Sequence, residues 1–143
     1  MSVMTVAQEL LTTAWDALDR KPGRSIIQPG LSVAWDDCCD GQLWVRINGA
    51  TPVYQGNSNC SVALDVTYAV GIIRCVHSLS DRGKAPTQEQ ITTDGLDMID
   101  DMCRIYSALD GLKLGHRLTL GAWTPMGPNG GCAGGEWAVN TRL

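Results

Sequence analysis

Residues 60–72 read Cys60-Ser61-Val62-Ala63-Leu64-Asp65-Val66-Thr67-Tyr68-Ala69-Val70-Gly71-Ile72. Large apolar side chains at Val62, Leu64, Val66, Tyr68, Val70 and Ile72 alternate with small or polar ones at Ser61, Ala63, Asp65, Thr67, Ala69 and Gly71. A period of two sends successive side chains to opposite faces of an extended chain. The stretch therefore predicts a long strand with one face, Val62, Leu64, Val66, Val70 and Ile72, packed under helices. Its small outer face leaves room for another layer or chain to come close.

Upstream, Gln42 to Ile47 predicts a shorter strand, with Leu43, Val45 and Ile47 on one face and Trp44 and Arg46 on the other. Asn48-Gly49 is a turn signal. Residues 50–59, with Pro52, Gly56 and Asn57, read as a loop or the tip of a long hairpin. Before these lies a helix, since Val3, Val6, Ala7, Leu10, Ala14 and Leu18 share one side. Ser2, or Thr5 with Gln8, caps it, and Lys21-Pro22-Gly23 stops it. Residues 24–41 read as irregular, with a turn at Pro29-Gly30, a short strand over 31–35 and an acidic patch at Asp36, Asp37 and Asp40.

Downstream, Thr87 and Gln90 form a capping box that opens a second helix, and Gly111 ends it. Its expected buried stripe is Ile91, Gly95, Met98, Met102, Ile105 and Leu109, widened by Leu96, Ile99 and Tyr106. Asp94, Asp97 and Asp101 make an acidic stripe on its flank. Arg117 to Trp123 and Glu136 to Arg142 predict two further strands around a glycine-rich loop over 124–135. The order predicts an α+β fold, a mostly antiparallel sheet with two helices packed on one face. Its 143 residues suit one domain, residues 1–143.

Composition narrows the function. The formal net charge is −4 and no basic run occurs, which argues against tight binding to a phosphate backbone. The apolar stretch Val62–Val76 is broken by Asp65, Thr67, Gly71 and Arg74, so no membrane span is expected. The first residues lack the charged start and apolar run of a secretory signal, so synthesis in a reducing cytoplasm is expected. None of the six cysteines, at 38, 39, 60, 75, 103 and 132, shows C-x-x-C spacing. Free thiols are expected, with no disulfide and no metal.

Catalytic groups are sparse. The histidines are His77 and His116, and Cys75 with His77 lacks an orienting third group. There is no G-x-S-x-G elbow, and no Gly-Lys-Ser/Thr for a phosphate loop. The acidic patch lacks the spacing of a calcium loop. No catalytic, cofactor-binding or metal residue is expected, although a small enzyme with a cysteine or acidic site is the alternative from another class.

The element order resembles the tail terminator proteins of long-tailed, siphovirus-type bacteriophages. The likeness covers the N-terminal helix, the strands near Leu43–Ile47 and Val62–Ile73, the helix Thr87–Leu109 and the closing strand Trp137–Arg142. The ending Trp123-Thr124-Pro125…Gly130-Gly131-Cys132-Ala133-Gly134-Gly135-Glu136-Trp137-Ala138-Val139 is similar to endings of neck proteins in actinobacterial phages. The resemblance implies a structural virion protein, made in the host cytoplasm, with no catalytic motif. It implies a self-assembled ring of about six copies, closed head to tail. That ring would cap the tail tube protein, meet the head-tail connector protein and pass genomic DNA through its lumen. Another neck ring, a head-to-tail connector or stopper, is the neighbouring reading.

On this reading the two loops reach other subunits. The expected assembly interface is Gly49, Pro52, Tyr54, Trp123, Pro125, Met126, Asn129, Gly131 and Trp137. The expected acidic lumen wall is Asp36, Asp37, Asp40, Asp94, Asp97 and Asp101, which would repel DNA by like charge. The loop 125–135 is expected to order only against a partner in the assembled particle.

Overall fold

A computed structural model describes residues 2–30, 38–79, 82–112, 114 and 117–143. The elements in chain order are α1 (Val3–Ala17), β1 (Arg24–Ile27), a short 3-10 turn (Cys38–Asp40), β2 (Gln42–Tyr54), β3 (Ser61–Cys75), α2 (Gln88–Asp110), β4 (Leu118–Asn129) and β5 (Cys132–Arg142). The five strands form one sheet in the order β1-β2-β3-β5-β4. β1 runs parallel to β2, and every other pair is antiparallel. Both helices pack on the same face, which gives the α+β architecture expected from the element order.

The main core lies between that face and the helices. Val6, Ala7, Leu10 and Ala14 of α1 meet Leu43 and Val45 of β2, and Val66, Tyr68, Val70 and Ile72 of β3. Ile105 and Leu109 of α2 and Val139 of β5 complete it. Ser2 caps α1, its hydroxyl accepting from the Thr5 amide. Thr87 and Gln90 form the full capping box at the start of α2. The Tyr68 hydroxyl donates to the Val3 carbonyl at 2.8 Å, tying β3 to the start of α1. Burial pushes the Tyr68 phenol up to about 12.

A smaller cluster occupies the opposite face, where Trp44, Ile73, Cys38 and Cys132 pack with Ile26 and Met126. Gly71 makes this possible. A side chain there would run into the Trp44 ring, and its Cβ would lie 2.8 Å from Glu136 Cβ. The small outer face of β3 thus receives a tryptophan from β2 within the subunit.

Several expectations change. Residues 24–27, read as irregular, form β1, an edge strand held by its parallel ladder with β2. The glycine-rich loop 124–135 is mostly strand, with only Gly130-Gly131 at the turn between β4 and β5. Gly134 and Gly135 lack side chains because Ile72 backbone and the Trp123 ring occupy that space. The span 50–59 is largely the end of β2, and the hairpin turns over residues 55–60. Val62 is exposed because β5 pairs with β3 only from Asp65 onward, leaving Val62 beyond the three-stranded part. The strand expected over 31–35 lies outside the described residues.

Free thiols are also overturned. Cys38 is bonded to Cys132 and Cys39 to Cys75, while Cys60 and Cys103 are free and exposed. Cys75 and Cys132 are cross-strand partners, and the Cys38–Asp40 turn sits beside them. Sequence spacing could not show this, because the approach is made by strand pairing over 36 and 94 residues.

Gly71→Val should destabilise the fold by about 3 kcal/mol, the cost of overpacking a filled site. Gly49→Ala, with open space around its Cβ position, should change stability by less than about 0.5 kcal/mol. Denaturant midpoints of the two variants check this. In an alkaline titration, one of the three tyrosines should ionise only as the pH rises to about 12. The Tyr68 contribution to stability is complete below about pH 10 and declines as the pH approaches the folded value. The late tyrosinate step should disappear in Tyr68→Phe.

Candidate assembly surfaces

The two hairpin turns lie at opposite ends of the sheet. β3 runs from Ser61, next to the β2–β3 turn, to Cys75, which pairs with Cys132 next to the β4–β5 turn. At the first end, β2 and β3 continue past the sheet as a two-stranded arm. Gly49 sits at a bulge opposite Thr67, and Pro52 pairs with Leu64 further out. The chain's last residue closes the supported part, with Leu64 and Leu143 exchanging backbone hydrogen bonds. Pro52, Tyr54 and Val62 are exposed on the arm.

The second group of expected interface residues divides. Trp137 serves inside the subunit. Its Nε1 donates to the Met102 carbonyl at 3.0 Å, and its ring sits 5.5 Å from Tyr106 and 5.6 Å from Trp123. Trp123 is half-buried against the main core, and Met126 packs against the smaller cluster. Pro125 and Asn129 are exposed on β4, and Gly131 lies at the turn.

The acidic stripe of α2 is largely consumed within the subunit. Asp101 is 1% exposed and receives Arg74 Nε at 2.6 Å and Arg74 Nη2 at 3.1 Å, with Arg20 Nη2 at 3.4 Å. Asp97 pairs with Arg20 at 3.5 Å. Asp94 accepts from the His77 amide at 2.7 Å and lies 3.0 Å from His77 Nδ1. Asp101 therefore forms no part of an exposed acidic wall: its charge docks α2 onto the end of β3. Asp40 is exposed, and Asp36 and Asp37 lie outside the described residues. Cys75 is bonded to Cys39, so it offers no thiolate beside His77. His116 lies outside the described residues.

On the helix-free face, Glu136 is held by Arg46, which donates from Nε at 3.1 Å and also from Nη2. Trp44 Nε1 adds a third hydrogen bond at 3.1 Å. This pair fixes β5 against β2 across Gly71.

Of the stripe expected to be buried on α2, Ile105 and Leu109 are buried and Met98 and Met102 half-buried, but Ile91 at its start is exposed, and so are the residues expected to widen it. Leu96, Ile99 and Tyr106 are 61%, 53% and 44% exposed, and Cys103 between them is exposed too. Their spacing of three, four and three residues makes one continuous stripe. Ion pairing explains this, because turning Asp101 inward toward Arg74 turns these residues out. A second apolar surface lies by β1, where Val3, Met4, Ala7, Ile27, Val45 and Ile47 line an open groove of about 480 Å³. α1 lies over β1, β2 and β3, whereas α2 lies over β4 and β5. The two surfaces thus lie toward opposite edges of the sheet, β1 at one and β4 at the other. The helical spacing of residues 96–106 was visible in the sequence, but its outward direction was not.

Set against models of known protein families and against curated proteins, the chain matches none. No described helix is long and apolar enough to cross a membrane.

Asp101→Ala should destabilise the subunit by about 3–5 kcal/mol, because it strands the buried Arg74 charge. Asp97→Ala, which removes an exposed pair, should cost less than about 1 kcal/mol. Thermal unfolding of the two variants distinguishes the buried pair from the surface one.

Proposed function

We propose that this chain is a structural ring subunit of a phage neck, a tail terminator that caps the tail tube and meets the head-tail connector. The exposed stripe Leu96–Ile99–Cys103–Tyr106 carries the reading. Large apolar side chains at successive turns of one helix are costly in water and mark an interaction surface. The groove by β1 supplies a different apolar surface near the other edge of the sheet. Two unlike patches toward opposite edges suit head-to-tail contacts, the arrangement that closes rings.

The arm formed by the ends of β2 and β3 supports the same reading. A two-stranded hairpin is marginal in water, and Tyr54 and Val62 lie exposed on this one. Contact with a neighbouring subunit or the tube would cover them. Pro125, Asn129 and Gly131 at the opposite end offer a second axial contact, toward the connector. The net charge of −4, including the exposed Asp40, suits a wall past which DNA slides without binding.

Added to purified tail tubes, the chain should appear as a ring at one end of each tube in electron micrographs. Leu96→Glu with Ile99→Glu should abolish ring formation and end-capping while changing subunit stability by less than about 0.5 kcal/mol per site. Light scattering and thermal unfolding read the two effects separately. Tubes left uncapped by the wild-type chain would overturn the terminator reading.

A further inference from the structure

Four of the six cysteines meet at one place. Cys38 and Cys39 come from the short turn before β2, Cys75 from the end of β3 and Cys132 from the start of β5. The sulfurs of Cys38, Cys39 and Cys75 all lie within 4.8 Å of one another, and Cys132 is bonded to Cys38. Four thiols converging from three chain segments are what a closed tetrathiolate metal site requires.

We propose that these four cysteines, when reduced, hold one zinc ion, and that the disulfide-bonded chain is the oxidised, metal-free form of the same site. Zinc takes four thiolates at about 2.3 Å in a tetrahedron, which sets the sulfurs about 3.8 Å apart. Three of the sulfurs already lie close to that spacing, and reduction frees Cys132, bonded to Cys38, to complete the set. Cys38 and Cys132 are buried, and Cys39 and Cys75 are exposed, so the site has an inner wall and an open approach for the ion. Cys60 and Cys103 lie outside the cluster and take no part.

The chemistry balances with a phosphine as reductant. Each disulfide takes two electrons from one phosphine and becomes two thiols. Water supplies the two protons and the oxygen of the phosphine oxide. Zinc then displaces four protons from the four thiols and forms four zinc–sulfur bonds. The complex carries a net charge of −2.

Cobalt(II) is the probe, because four thiolates around it give intense red-region bands and a near-ultraviolet charge-transfer band. After anaerobic phosphine reduction, cobalt should bind at one ion per chain, and one equivalent of zinc should bleach the bands. The Cys60→Ser and Cys103→Ser double variant should keep the spectrum. Cys39→Ser and Cys132→Ser, one from each disulfide, should lose the four-thiolate signature. They should weaken binding by more than about 100-fold, beyond what an outer-shell partner costs. Should the reduced chain unfold, recovery of its circular dichroism at one equivalent of zinc supports the site. Absence of stoichiometric binding, bands that persist in Cys39→Ser or Cys132→Ser, or failure of zinc to restore the fold would each overturn it.

Discussion

β3 is the central strand of the sheet. It pairs with β2 along one edge and with β5 along the other, and its side chains enter both hydrophobic clusters. Val66, Tyr68, Val70 and Ile72 take the helices on one face, while Gly71 admits the Trp44 ring on the other. A central antiparallel strand tolerates this only if its two faces have different volumes, and here they do. A one-residue slip would bring Asp65 and Thr67 under α1 and push Tyr68 and Val70 to the other face, so the register is strongly specified.

Charge then orients what the apolar surface holds only loosely. Arg74 at the end of β3 grips Asp101 of α2 through two nitrogens, and a hydrogen bond from its Nη2 to the Arg20 carbonyl reaches the segment after α1. Arg46 and Trp44 grip Glu136 across the opposite face. Buried pairs add little net stability, since desolvation offsets much of the attraction, but a misaligned pair is costly. They therefore select one rotation of α2 and one placement of β5. The rotation of α2 leaves Leu96, Ile99 and Tyr106 exposed, so an intramolecular ion pair creates the surface proposed for assembly.

The cysteine cluster and the assembly surfaces occupy different parts of the chain. The cysteines tie the turn before β2 to the end of β3 and the start of β5, at the end of the sheet opposite the arm. The arm depends instead on the two-stranded ladder beyond Asp65.

Periodicity alone determined the long strand, the capped second helix, the first helix and the α+β class, because these rest on local alternation and on capping chemistry confined to a few residues. The burial of Val66, Val70 and Ile72 followed for the same reason. Tertiary structure decided the rest. The stretch 124–135 looked like a loop because its glycines resemble flexible chain, whereas strand pairing uses their missing side chains to admit Ile72 and Trp123. Leu96, Ile99 and Tyr106 looked buried because an apolar stripe on a helix has no marked direction until a partner such as Arg74 selects one. The cysteines looked unpaired because spacing along the chain carries no information about sulfurs brought together by antiparallel pairing.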